Sequence, residues 1–268
     1  MSPAHKAYLG AVCASAVLAC GVASTDGAWA ASLTPPSAWH PVVRDLALPG
    51  GGSERVLMLR PDHPRGTLVM LPGGTGEVGI APDGTLAQAD NVVIRTAPLW
   101  LAHGYALAIP DAVENLRGVR SSTEYGAAVA VLVTDAQRSN PGPIVLVGTS
   151  QGAIAAVNGA AHASGVAGLV LLEAVSRRGG SGESVFDADP EAVTAPVLVV
   201  ANAADRCPVT PPVDAPRIAA AFTGSARVDI VAIDGGAPDG RDCGSLSPHG
   251  YRGIEREMVD KVTEWLAR

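Results

Sequence analysis

The apolar positions of this chain fall into short unbroken runs separated by longer stretches of mixed character. The runs are Thr67–Leu71, Ala106–Ile109, Ile144–Val147, Leu169–Leu172, Val197–Ala201 and Val228–Ile233, each bounded by Gly, Pro or Asp. A strand with one wet face alternates apolar and polar residues, so unbroken runs predict strands covered on both faces. Between them, Ala97–His103, Ser122–Arg138, Ala153–Ala163 and Pro216–Phe222 are predicted helices. Gly253–Leu266 is predicted as a closing helix, because Ile254, Met258, Val262 and Leu266 fall on one face. Ahead of all these, Val42–Leu48 and Arg55–Leu59 flank the turn Pro49-Gly50-Gly51-Gly52-Ser53 and predict an antiparallel hairpin. Strand and helix in alternation predict one α/β domain over residues 42–268, with a doubly wound, mostly parallel sheet and an N-terminal hairpin.

Composition agrees and narrows the partners. The chain has 268 residues, enough for one well-buried α/β domain and tight for two. With 47% apolar but 4% aromatic residues, the core must be built from Val, Leu, Ile and Ala. The formal charge is −7 and no stripe of Lys and Arg stands out, which argues against a nucleic-acid partner.

The first thirty residues have a different logic. His5 and Lys6 precede an apolar stretch from Leu9 to Ala23 that is short and rich in Ala and Gly for a membrane span. Ala28-Trp29-Ala30 supplies the small-x-small pattern of a signal-peptidase site, so residues 1–30 are expected to be a signal peptide and 31–41 an extended lead-in. Val17-Leu18-Ala19-Cys20 offers a rival processing site, a lipobox that would leave Cys20 lipidated; Leu18 is a less usual residue at its position. The expected product is secreted or periplasmic. Cys13 and Cys20 lie in this segment, which leaves Cys207 and Cys243 as the expected disulfide of an exported protein.

The chemistry is concentrated at Gly148-Thr149-Ser150-Gln151-Gly152, where a buried strand runs straight into a helix of small residues. A hydroxyl at the tip of so sharp a turn is well presented for attack, and glycine on both flanks lets strand and helix approach. Serine needs a base and an acid to orient it. Two histidines follow Ser150: His162, in or at the end of the next helix, and His249, in the loop between the last strand and the closing helix. His249 is the expected base and His162 a surface residue, as are the upstream His40, His63 and His103. Asp205, after the strand Val197–Ala201, is the expected acid; Asp234, Asp239 and Asp242 are its rivals. The oxyanion donors are expected to be the N–H of Gln151 and one from Pro72-Gly73-Gly74-Thr75-Gly76, either Gly74 or Thr75.

Strand order, elbow, glycine loop, acid loop and histidine loop together resemble the α/β-hydrolase family across roughly residues 42 to 268. The resemblance implies cleavage of small-molecule carboxylic esters through an acyl-enzyme, without a metal or an organic cofactor. A peptidase, thioesterase or acyltransferase uses the same scaffold, and a catalytically inactive binding module is the reading from another class. Two departures bear on substrate preference: Pro72 stands where a His often opens the oxyanion loop, and Gln151 where several lipases carry His or Met. The segment between Leu172 and Val197, where lidded relatives place a helical cap, is rich in Gly, Ser, Asp and Arg and predicts an open site for short-chain esters.

Overall fold

A computed structural model describes residues 41–268. The signal-peptide and lipobox expectations, the lead-in up to His40, and Cys13 and Cys20 lie outside the described residues. Eight strands, β1 (Val42–Ala47), β2 (Ser53–Leu59), β3 (Thr67–Leu71), β4 (Ala106–Asp111), β5 (Ile144–Thr149), β6 (Val166–Leu172), β7 (Val197–Asn202) and β8 (Val228–Ile233), form one sheet in the order β1-β2-β4-β3-β5-β6-β7-β8. β2 is antiparallel to both its neighbours, and every other pairing is parallel. Five α-helices accompany them: α1 (Val92–Ala102), α2 (Thr123–Ser139), α3 (Gly152–His162), α4 (Ala215–Ala220) and α5 (Glu255–Leu266).

Five of the six runs become interior strands of the sheet, where each residue faces a core on one side or the other; the sixth, Val228–Ile233, is the edge strand β8, whose run is interrupted by Asp229 and which is not covered on both faces. In β5, Ile144 and Leu146 join the core beneath α2 and α3, whereas Val145 and Val147 join the one beneath α1 and α5. β3, β6 and β7 alternate in the same way, with Val69, Leu171 and Val199 on one side and Met70, Val170 and Leu198 on the other. Burying one such side chain contributes about 1.5–3 kcal/mol, so two-sided burial is a major source of stability here. The edge strands β1 and β8 are mostly exposed or half-buried, as strands with a neighbour on one side only should be.

One helix begins a turn and a half earlier than its sequence suggests. The predicted start at Ala97 falls inside α1, as does Pro98; the cap is Asn91, whose side chain accepts from the Val93 N–H at 3.0 Å. Trp100 fixes this helix from within, fully buried and donating through Nε1 to Thr96 Oγ1 at 3.0 Å. Between β6 and β7 the chain makes only two single helical turns, Val185–Asp187 and Pro190–Ala192. Val185 and Val193 are buried in the core beneath α3, which commits this segment to packing.

Candidate active site

Four parallel strands end along one edge of the sheet, and their loops carry the chemistry. The elbow after β5 is as sharp as the sequence requires. Ser150 has φ 52°, a left-handed conformation that costs a non-glycine residue about 1–2 kcal/mol. A Cβ on Gly148 would meet the Gly152 carbonyl oxygen at 2.4 Å, and one on Gly152 would meet the Leu71 oxygen at 2.1 Å. Neither position can carry a side chain, because strand, helix and β3 close on each other there. The Ser150 N–H donates to the Leu172 carbonyl at the end of β6 at 2.8 Å, which holds the strained residue in place.

The acid and histidine loops meet beside it. Asp205, after β7, accepts from His249 Nδ1 at 2.9 Å, and the two side chains are 0% and 5% exposed. Asp205 is further held by the Cys207 N–H at 2.8 Å and the Thr210 hydroxyl at 2.7 Å; Thr210 Oγ1 also lies 3.2 Å from His249 Nδ1. Burial opposes ionisation of Asp205, but the bond and charge of His249, with the Cys207 and Thr210 donors, hold its carboxyl below the ordinary value. Asp234, Asp239 and Asp242 are exposed and make no hydrogen bond to the imidazole. The histidine loop is tied from both sides. Asn202 donates to the carbonyls of Gly235 and Pro248, and a disulfide joins Cys207 to Cys243 with their Cα atoms 4.7 Å apart.

Ser150 and His249 line one cleft of about 290 Å³, together with Gly73, Gly74 and Thr75. Among the described residues no hydrogen bond joins the Ser150 hydroxyl to the imidazole, a looseness common in unliganded sites. The other wall is polar, with Gln88, Asn91, Arg117 and Arg241. A larger hollow of about 380 Å³ on the outer side of the acid and histidine loops is lined by none of Ser150, Asp205 and His249.

On the nucleophile side, the loop after β3 is pinned to the elbow by a bond from the Gly73 N–H to Thr149 Oγ1 at 3.2 Å. The N–H groups of Gly74, Thr75 and Gln151 donate to no acceptor among the described residues; Gly74 and Thr75 line the cleft, and Gln151 follows Ser150, which does. Behind them lies a residue with no sequence signal. Arg120 is 0% exposed; its Nη1 donates to the Gln151 side-chain oxygen at 3.2 Å and its Nη2 to the Pro72 carbonyl at 3.3 Å. One guanidinium thus grips the residue after Ser150 and the start of the glycine loop. Its own backbone is held by Glu183, which accepts from the Gly118, Arg120 and Ser121 N–H groups.

The other described histidines are not among the residues that line the cleft. His162 ends α3, half-exposed, with Nδ1 2.9 Å from the Asn158 carbonyl; His103 caps α1 beside Asp260; His63 is exposed. Among the described residues one group of three side chains, Glu173, Asp205 and His249, has polar atoms within 4.8 Å of one another, close enough to hold a metal ion. Two of the three, Asp205 and His249, are already joined by a hydrogen bond. Glu173 and Thr210 escaped notice in the sequence because neither belongs to a motif.

No family model and no curated protein matches the chain. Solved structures do. An esterase of Pyrococcus furiosus superposes with a TM-score of 0.64 at 12% identity, covering 86% of this chain and 91% of that one. A dienelactone hydrolase from Anabaena variabilis gives 0.57 at 15% identity over 85% and 97% of the two chains. An acylaminoacyl peptidase from Pyrococcus horikoshii gives 0.59 at 13% identity; this chain spans 42% of its length.

Proposed function

The chain has the α/β-hydrolase fold, and on that fold we propose that it is an exported serine hydrolase of carboxylic esters. The observation that carries the reading is the buried 2.9 Å bond between Asp205 and His249, whose imidazole lines the cleft that Ser150 enters from a left-handed turn. In this reading His249 takes the Ser150 proton as the hydroxyl attacks the ester carbonyl. Asp205 holds the tautomer and stabilises the imidazolium without taking the proton itself. The tetrahedral oxygen is met by the Gln151 N–H and by Gly74 or Thr75. His249 hands that proton to the departing alcohol, which leaves an acyl-enzyme on Ser150; it then takes a proton from the attacking water and returns it to Ser150 as the acid is released.

A cleft of about 290 Å³ with Gln88, Asn91, Arg117 and Arg241 on its wall favours small, polar, water-soluble esters over long acyl chains. Export is supported by the Cys207–Cys243 disulfide, which needs an oxidising compartment. Among the described residues no helix is long and apolar enough to cross a membrane. The test is a panel of esters of graded acyl length, with matched amides, assayed on the wild type and on Ser150→Ala. Short-chain esters should turn over fastest, and Ser150→Ala should lose at least about 10⁴-fold in kcat while remaining folded. Turnover by Ser150→Ala near the wild-type rate would end the proposal.

A further inference from the structure

Among the described residues four non-glycine residues have left-handed backbones, and three of them lie at or next to the cleft: Ser150 (φ 52°) and Tyr251 (φ 57°) line it, and Glu173 (φ 46°) follows Leu172, which also lines it. Strain of this kind, about 1–3 kcal/mol per residue, persists where the surrounding structure enforces it, and it clusters at functional sites. Ser150 has its role above; Glu173 and Tyr251 do not.

Glu173 is the first residue after β6. The carbonyl just before it, that of Leu172, receives the Ser150 N–H, while its own N–H donates to the Val200 carbonyl on β7 at 3.2 Å. Its side chain is 2% exposed and turns towards the acid and histidine loops, where one carboxyl oxygen lies within 4.8 Å of polar atoms of both Asp205 and His249. Its Oε1 accepts from the Asn202 N–H at 2.7 Å, and Asn202 in turn holds the Pro248 carbonyl next to His249. The other oxygen, Oε2, is buried without a partner, as is the hydroxyl of Tyr251. A buried carboxylate with an empty oxygen would be costly, and a second negative charge beside Asp205 costlier still. A neutral acid removes both costs. Its O–H can serve Asp205, and its carbonyl can receive the Tyr251 hydroxyl.

We propose that Glu173 is a positioning residue for the Asp205–His249 pair, a neutral carboxylic acid that donates a hydrogen bond to the Asp205 carboxylate from behind. It leaves Asp205 as the single anion of the cluster and couples that anion, through the Leu172–Glu173 peptide, to the strained nucleophile turn. The electrostatics agree: burial first, and the Asp205 charge second, push the Glu173 carboxyl well above the ordinary range. Asp205, His249 and Tyr251 are the titratable groups that face it. The proposal rests on the Ser150–His249–Asp205 reading, and its test separates the two.

The experiment compares wild type, Glu173→Gln and Glu173→Leu in the full exported protein. The first readout is the infrared difference spectrum of wild type against Glu173→Gln at pH 7, which needs no turnover. A band of a protonated carboxylic acid should be present in the wild type and absent from the variant. The second is the pH profile of kcat and KM. Glu173→Leu should lose about 10- to 100-fold in kcat with little change in KM. Glu173→Gln, which keeps a donor and an acceptor, should recover most of that loss with the same acid limb. Absence of the carboxylic-acid band would overturn the proposal, as would a Gln variant as damaged as the Leu variant or a Leu variant with wild-type kcat. If Glu173→Leu does not fold, the band and the Gln profile still decide. Wild-type turnover by Ser150→Ala would sink the triad reading and leave the band where it is; an essential Ser150 with no band would sink this inference alone.

Discussion

The two halves of the site are held in opposite ways. Asp205 and His249 sit in a dense buried network: Thr210, the Cys207 N–H and Glu173 surround the acid, Asn202 holds the histidine loop, and a disulfide bridges the two loops. On the Ser150 side, the N–H groups of Gly74, Thr75 and Gln151 have no acceptor among the described residues, and one buried side chain, Arg120, holds both segments that carry them. The difference fits what each half would do in the proposed reaction. The acid–base pair keeps a fixed geometry while a proton moves, which favours redundant contacts. Oxyanion donors must stay free until charge develops, so they can be fixed only from behind. Redundancy predicts that losing any one tie costs the pair less than losing Asp205 itself, and the single hold on the other side predicts that one substitution loosens both segments together.

The largest effect should come from the centre of the redundant half. Asp205→Asn keeps the shape but forces the wrong imidazole tautomer, and kcat should fall about 10⁴-fold, measured on a soluble short-chain ester. A fall of tenfold or less would move the acid role elsewhere in the cluster, with Glu173 the next residue to test. Reduction of Cys207–Cys243 should come next. The bridge closes a sequence separation of 36 residues, for which chain entropy gives about 3–4 kcal/mol. Thermal unfolding should therefore move down on reduction, while the surrounding hydrogen bonds preserve measurable turnover at 25 °C. Complete loss of activity before unfolding would show that the bridge, and not the hydrogen-bond network, holds the pair.

A third buried carboxyl provides a control away from both halves. Glu54 on β2 is buried with one oxygen unpartnered, and burial, with the Asp111 charge behind it, pushes its carboxyl up to about 7. A carboxyl whose folded value lies above its unfolded value favours the fold below the unfolded value, and that contribution is lost as pH rises through about 7. Glu54→Gln should thus raise stability by about 3 kcal/mol at pH 8 and by little near pH 4, with kcat unchanged. Equal stabilisation at both pH values would contradict this origin. The smallest effect is the most informative about the other half: Arg120→Met should lower kcat by about 10- to 100-fold with little change in KM, because it loosens both oxyanion segments together. A wild-type kcat would show that the loop and elbow hold themselves.

The same contrast governs what the sequence reveals. The elbow is legible because its strand, glycines, serine and helix are contiguous, and the strand ends locate Asp205 and His249 because parallel strands deliver their loops to one edge. All six runs are strands, extended by no more than three residues at an end, though Val228–Ile233 lies at the edge of the sheet. Arg120, Glu173 and Thr210 are not legible. Each is a common polar residue whose meaning comes from burial beside groups distant in sequence: Arg120 beside Gln151 and Glu183, 31 and 63 positions away, Glu173 beside Asn202, 29 away, and Thr210 beside His249, 39 away. The predicted start of α1 at Ala97 falls short for a local reason: Asn91 caps the helix, and its buried face outweighs the one backbone bond that Pro98 removes inside it.

The central claim is that Ser150 is the nucleophile and that His249, oriented by Asp205, activates it. Its most direct test is covalent: label the intact protein with a fluorophosphonate at neutral pH and locate the adduct by peptide mass spectrometry. The account predicts one adduct, on Ser150, formed at a rate that collapses in His249→Ala and Asp205→Asn. No adduct, an adduct on another residue, or labelling of Ser150 at an undiminished rate in His249→Ala would contradict it.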